Sequence, residues 1–226
     1  MTTILITGVY RGIGRQLAEQ ALAKGWKAFG SVRSEEQAAE LQTVLGQGFT
    51  PLVFDVTDAA AIKKAATSAS EPIDIVINNS GIIGPSEQST LTMDFDGFAE
   101  TLAINTLGPL RVAQAFLTHL KASSSPRLIT ISSKMGSMAF TASDRIAYRA
   151  SKAAVNKVVQ GLATDLRGDG IAVISMHPGW VRTDMGGGAA DISPSESAAG
   201  ILQTAEKLTL DGTGQFVNYD GEILPW

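Results

Sequence analysis

The chain has 226 residues, 44% of them hydrophobic and 18% charged, so it can bury one sizeable core and lacks the composition of a disordered segment. A net charge of −4 and a pI near 5.2 give no electrostatic support to a nucleic-acid role. The lack of cysteine excludes disulfides and thiolate metal sites, and no apolar run reaches the roughly 18 residues of a membrane span.

Thr3-Ile4-Leu5-Ile6 is short, apolar and β-branched, as a buried parallel strand should be. It runs into Thr7-Gly8-Val9-Tyr10-Arg11-Gly12-Ile13-Gly14. Arg15 to Lys24 then reads as helix, with Ile13, Leu17, Ala21 and Leu22 on one stripe. A strand, a glycine turn and a helix N-terminus make an anion site, because free N–H groups and the helix dipole both favour negative charge. The glycines let the backbone approach a pyrophosphate closely. The spacing is G-x-x-x-G-x-G, which differs from the common dinucleotide fingerprint, and no Gly-Lys-Ser/Thr follows to make a P-loop.

Strand and helix alternate through the rest of the chain. The pattern predicts strands at 3–7, 26–32, 51–54, 73–77, 127–132, 171–176 and 215–218. It predicts helices at 12–24, 35–45, 58–69, 96–120, 145–167 and 195–207. Arg167-Gly168-Asp169 reads as a helix stop, and Asn78-Asn79-Ser80 as an accidental sequon at the end of a buried strand. No composition break or internal repeat divides the chain. The expectation is one α/β domain over 1–226, a doubly wound Rossmann-type parallel sheet of about seven strands with helices on both faces. The segments 81–95 and 184–194 are the longest loops, and the second contains Gly186-Gly187-Gly188.

The polar or glycine-rich residues directly after the strands converge on one sheet edge. They are the Gly8–Gly14 turn, Ser31–Arg33, Asp55-Val56, Asn78–Gly81, Ser132-Ser133 and His177-Pro178-Gly179. Tyr148 and Lys152 stand one turn apart on a predicted helix and share a face. An ammonium fixed beside a phenol favours the phenolate, so Tyr148 is expected to give and take a proton near neutral pH. Moving a phenol from about 10 to near 7 asks roughly 4 kcal/mol.

The ordered set T-G-x-x-x-G-x-G at 7–14, Asp55, N-N-S-G at 78–81, Asn105, Ser133, Y-x-x-x-K at 148–152 and P-G-x-x-x-T at 178–183 resembles the short-chain dehydrogenase/reductase family along essentially the whole chain. Ser132 to Ser137, Tyr148 to Lys152, His177 to Val181, Asp184 to Gly187 and Tyr219 to Trp226 are most similar to its branch of C-factor-type proteins and carbonyl reductases. The resemblance implies a catalytic tetrad. Tyr148 would transfer the proton, and Lys152 would tune it and hold the nicotinamide ribose. Ser133 would bond the substrate oxygen, and Asn105 would brace the helix backbone and position a water. Ser132 competes with Ser133, which is preferred because it lies three before Gly136, as the family pattern requires. The resemblance also implies dinucleotide contacts at Thr7, Gly8, Tyr10, Arg11, Gly12, Ile13, Gly14, Arg33, Asp55, Val56, Asn79, Ser80, Gly81, Tyr148, Lys152, Pro178, Gly179, Val181 and Thr183, with Asp55 at the adenine. Two departures stand out. The gap from Ser133 to Tyr148 is longer than the commonest one, and Ser80 replaces the usual alanine, so its hydroxyl needs a backbone partner.

Arg33 ends the second strand with no acid before it, and Arg11 precedes Gly12. Both favour a 2′-phosphate, so NADP(H) is preferred over NAD(H). The activity implied is hydride transfer between nicotinamide and a carbonyl or alcohol substrate. Met135, Met138, Phe140 and Trp180 flank the supposed pocket and point to an apolar or aromatic compound. The alternative is a dinucleotide-binding signalling protein with little turnover. A hydrolase built on Ser133 and His177 lacks a G-x-S-x-G elbow, and no catalytic metal is predicted. His119, late in a helix, is placed to meet C-terminal carbonyls. The predicted helices at 96–120 and 145–167 carry more apolar positions than one core-facing stripe needs, which fits a homodimer or homotetramer. No membrane or nucleic-acid partner is expected. The N-terminus shows no basic region followed by a cleavable apolar stretch, so cytoplasm is the simplest location.

Overall fold

The computed structural model describes residues 1–226. Seven strands form one parallel sheet: β1 (Thr3–Ile6), β2 (Lys27–Val32), β3 (Phe49–Val53), β4 (Ile75–Asn78), β5 (Arg127–Ile131), β6 (Ala172–His177) and β7 (Phe216–Asn218). Their order is β3-β2-β1-β4-β5-β6-β7. The chain therefore winds outward from β1 to β3, returns to β4 beside β1, and winds outward the other way. Loops leaving β1 and β4 diverge at that reversal and open a crevice at the carboxyl edge.

Alternate strand residues feed two cores. Ile4, Ile6, Ile75 and Ile77 face one side, and Leu5 and Val76 face the other. The first side is covered by α1 (Gly12–Ala23), α2 (Glu35–Leu45) and α8 (Pro194–Lys207). The second is covered by α3 (Ala59–Ser68), α5 (Gly108–Ala115), α6 (Leu117–Lys121) and α7 (Ile146–Asp165). Phe116 and Phe216 are completely buried, and each contributes about 2–3 kcal/mol by leaving water. No helix is long and apolar enough to cross a membrane.

The helix expected over 96–120 is broken. It divides into α4 (Phe95–Leu102), a π-helical turn (Ala103–Leu107), α5 and α6. Pro109 has no N–H to give to the carbonyl of Asn105, and Gly108 N–H reaches back to Ala103 O instead. β3 starts at Phe49, earlier than expected, and includes Pro51, which an edge strand tolerates. β4 runs Ile75–Asn78 rather than from residue 73. The helix stop after α7 uses Gly170 (φ 73°) and not Gly168. His119 meets a helix C-terminus, but that of α3: its Nε2 lies 2.7 Å from Ala69 O.

Four of the eight α-helices carry their own N-caps. Ser34, Asp58, Asp94 and Ser193 accept from first-turn N–H groups of α2, α3, α4 and α8. α1 and α7 have none, nor do α5 and α6, which continue directly from a preceding helical turn. Beyond β7 the chain turns back along its free edge, with Asn218 N–H donating to Glu222 O and Leu224 N–H to Phe216 O.

Candidate active site

The turn between β1 and α1 is fastened to the loop after β4. The Thr7 hydroxyl accepts from the N–H groups of Asn79 (2.9 Å) and Ser80 (3.0 Å), and Asn79 Nδ2 donates to Thr7 O (2.8 Å). Gly8 and Gly12 take positive φ (74° and 59°), which strains any other residue. A Cβ at Gly14 would collide with the carbonyl of Gly8 and with Asn79 Nδ2. Arg11, the N-cap of α1, gives no side-chain cap, and the first turn holds no acid. The leading amides of α1 thus keep their donors for a ligand.

Beneath this turn lies a cavity of about 550 Å³. Of the dinucleotide contacts named above, its walls include Gly8, Tyr10, Arg11, Gly12, Ile13, Gly14, Arg33, Asp55, Val56, Asn79, Ser80, Gly81, Tyr148, Lys152, Pro178 and Thr183. Thr7, Gly179 and Val181 are not among them. The Thr7 hydroxyl is spent on the β4 loop. Gly179 packs under Tyr219 and Ile192, and Val181 is buried and paired with Ile192. Ile104, Met185 and Asp184 also line the cavity. Ile104 adjoins Asn105 in the predicted 96–120 helix, and Asp184 and Met185 fall in the predicted 184–194 loop, within the Asp184 to Gly187 stretch already noted for its resemblance.

Asp55 Oδ1 accepts from Thr57 N–H (2.8 Å), which holds the carboxylate at the end of β3. The hydroxyl of Ser80 finds no backbone partner and lies against Gly8. The Arg33 guanidinium makes no ion pair, whereas Arg11 Nη1 pairs with Asp184 Oδ2 at 2.7 Å across the mouth. Of the two cations expected at the 2′-phosphate, one is therefore engaged elsewhere. Tyr10 OH donates to Glu40.

Tyr148 and Lys152 share the inner face of α7, with Lys152 Nζ 5.7 Å from the Tyr148 ring centre. Both are buried, at 8% and 4% exposure. Lys152 Nζ donates to Ile131 O at 2.8 Å, and burial lowers its pKa to about 8. Burial raises the Tyr148 pKa above its ordinary value, opposed by a hydrogen bond from Ser133 and by the charge of Arg145. The expected lowering by Lys152 is not seen. Desolvation of the phenol outweighs an ammonium that is itself buried and aimed at a carbonyl.

Ser133 faces Tyr148 from a short 3₁₀ turn (Lys134–Gly136) and accepts from Met135 N–H. A Cβ at Gly136 would lie 2.6 Å from the backbone of Lys152, so this turn seats directly on α7. Ser132 lines the cavity, but its hydroxyl donates to Lys152 O. Asn105 sits in the π-helical turn, behind the wall. Its Oδ1 accepts from Ile82 N–H, and its Nδ2 donates to Ile82 O and Ser151 Oγ. It braces the β4 loop against α7 rather than its own helix. His177 is neutral: burial and the Lys134 charge bring its pKa to about 4, and its Nδ1 has no partner. It makes no hydrogen bond to Ser133. None of Met135, Met138, Phe140 and Trp180, expected around the pocket, lines the cavity, and Met138 is 81% exposed.

A family profile described as short chain dehydrogenase matches residues 2–191. C-signal of Myxococcus xanthus is 40% identical over 156 residues, covering 69% of this chain and 93% of that protein. The 1-hydroxy-2-glutathionyl-2-methyl-3-butene dehydrogenase of Rhodococcus sp. (strain AD45) is 32% identical over 234 residues and covers 100% of both. The structure of NADPH-bound carbonyl reductase from chicken fatty liver superposes with a TM-score of 0.92 at 31% identity, over 100% of this chain and 99% of that one. Carbonyl reductase Sniffer of D. melanogaster gives 0.93 at 33% identity over 100% of both.

Burial of the Lys152 ammonium has a cost in stability. Its folded pKa lies below the unfolded one, so the unfolded state binds the extra proton between about pH 8 and 10.5, and stability rises with pH across that window. Below it the cost is on the order of 3 kcal/mol. Lys152→Met should therefore stabilise the protein without added dinucleotide by about 2 kcal/mol at pH 7, one lost hydrogen bond being subtracted. The gain should vanish toward pH 10. Denaturant melts at the two pH values check both sign and window.

Proposed function

Because the chain belongs to the short-chain dehydrogenase family, we propose that it is an NADP(H)-preferring reductase of ketones or aldehydes, with all of 1–226 acting as one catalytic domain. One observation carries this reading: Tyr148 and Lys152 open onto the same cavity as the glycine turn.

The residues present fit a dinucleotide. The uncapped start of α1 and the close-packed glycines match a pyrophosphate, and Asp55 fits the adenine end. A bound nicotinamide dinucleotide supplies the hydride to the carbonyl carbon in reduction and takes it back in oxidation. Tyr148 is protonated at neutral pH, burial having raised its pKa, and it serves as general acid, passing its proton to the carbonyl oxygen as charge develops there. Ser133, facing the phenol, donates a hydrogen bond to the same oxygen. Lys152, still charged at neutral pH, stabilises the tyrosinate left behind and holds the ribose hydroxyls. Asn105 positions the Gly81–Ile82 wall against α7. Met185 and Ile104 make part of the cavity apolar, in keeping with an apolar or aromatic substrate.

Arg33, unpaired at the end of β2, carries the cofactor preference without Arg11. Arg33→Ala should weaken NADPH binding roughly tenfold while changing NADH binding less than about twofold. Fluorescence titration with both dinucleotides measures this, and equal losses for the two would refute it.

Tyr148→Phe should lower kcat for NADPH-dependent reduction of aromatic aldehydes, quinones and diketones roughly a thousandfold, with NADPH affinity kept within about threefold. The likeness to C-signal makes one result decisive against the reductase: tight NADPH binding with no wild-type turnover on any such compound.

The faces of α5 and α7 turned from the sheet support self-association. Ala150, Ala154 and Val158 form a half-buried stripe on α7, and Leu107, which precedes α5, is 44% exposed. Light scattering should give at least twice the 23.7 kDa of the chain at micromolar concentration, and a monomer there would exclude pairing through these helices.

A further inference from the structure

The start of α7 is the least conventional helix entry in the molecule. Arg145, its N-cap, is the single non-glycine residue with positive φ (50°), and it provides no side-chain cap. α1 also lacks a cap, but its free amides face the dinucleotide cavity. The amides of α7 are served from elsewhere in the sequence.

That service comes from Gln88, in the long loop after β4. Gln88 is buried at 7% exposure. Its Oε1 accepts from Tyr148 N–H at 3.0 Å, and its backbone carbonyl accepts from Ile146 N–H at 3.1 Å. Two of the donors that a helix start leaves open are thus satisfied by one residue. Its Nε2 donates to Ile83 O (2.9 Å) and Pro85 O (2.6 Å), so the amide is fixed within its own loop. Gly84, at φ 90°, leaves room for it: a Cβ there would lie 3.3 Å from Gln88 Nε2. The loop begins at the cavity wall, with Asn79 to Ile82.

We propose that Gln88 is a positioning residue for Tyr148, capping α7 from the β4 loop so that the loop and the phenol keep one fixed relation. The proposal rests on the reading of Tyr148 as proton donor. An ordinary local cap would hold the helix equally well, but it would leave the wall of the cavity free to shift against Tyr148. With Gln88 in place, displacement of the loop draws on the backbone of the very residue that transfers the proton. A misplacement of about 1 Å at a reacting group costs up to a hundredfold in rate.

Gln88→Met tests this, because methionine matches the length of glutamine and removes its side-chain hydrogen bonds. The expected result is a fall in kcat of roughly tenfold or more with NADPH dissociation constant within about twofold of wild type. A kcat within about twofold, or equal losses in kcat and NADPH binding, would overturn the proposal. A second readout needs neither substrate nor cofactor. The chain has three tyrosines, and ¹³Cζ-tyrosine NMR, assigned with Tyr148→Phe, should show the Tyr148 resonance displaced in Gln88→Met while Tyr10 and Tyr219 stay in place. An unmoved Tyr148 resonance refutes the proposal even if no carbonyl compound is turned over, a result that would instead sink the reductase reading. Should Gln88→Met not fold, Gln88→Glu keeps an oxygen acceptor for Tyr148 N–H. It also turns a carboxylate toward the carbonyls of Ile83 and Pro85, so it should displace the Tyr148 resonance and lower kcat roughly tenfold or more, and wild-type values for both would overturn the proposal.

Discussion

The Thr7 hydroxyl, accepting from two backbone amides of the β4 loop, is the contact on which the site depends. The sheet reverses direction between β1 and β4, so the loops leaving these strands separate at that point. A crevice formed only by divergence would have soft walls. Thr7 and Asn79 tie one wall to the other at the base, through half-buried contacts next to Ile77. The glycine turn then has a fixed floor, and Gly14 can approach Gly8 closely enough that no side chain fits between them. Everything farther along the crevice, from Asp55 at one end to Tyr148 at the other, is placed relative to that tie.

Burial sets the chemistry at the Tyr148 end. The phenol and the ammonium are both withdrawn from water, and each is pushed toward its neutral form. These shifts have opposite sense: the ammonium falls to about 8 while the phenol rises above its ordinary value, so the two titrations move apart and both groups are protonated at neutral pH. The protein sustains this arrangement with a core that continues on both faces of the sheet, including Phe116 and Phe216.

The fold and half of the site could be read in the residues because they depend on short-range rules. Alternating isoleucines in Ile4–Ile6 and Ile75–Ile77 signal a sheet covered on two faces, and the spacing of Tyr148 and Lys152 puts them on one helix face wherever that helix packs. The rest depends on meetings between distant segments. Nothing near Gln88 signals that its amide reaches Tyr148 N–H, 60 positions away. The pairing of Arg11 with Asp184 spans 173 positions and changes which cation is free. The π-helical turn around Asn105 follows from Pro109, a residue visible in the sequence, but its register is set by bonds to Ile82 and Ser151. The direction of the Tyr148 shift could not be reasoned from a neighbouring lysine alone, since the depth of burial decides it.

The two rims of the sheet are blunt for different reasons. On one rim, Pro51 in β3 lacks a donor and interrupts the row of amides that an incoming strand would need. On the other, residues 222–224 fold back and occupy β7 with hydrogen bonds from Asn218 and Leu224. A parallel sheet with open rims invites strand-by-strand accretion and fibre growth. Here that route is closed at both ends, so any association of copies must go through side-chain packing rather than backbone templating.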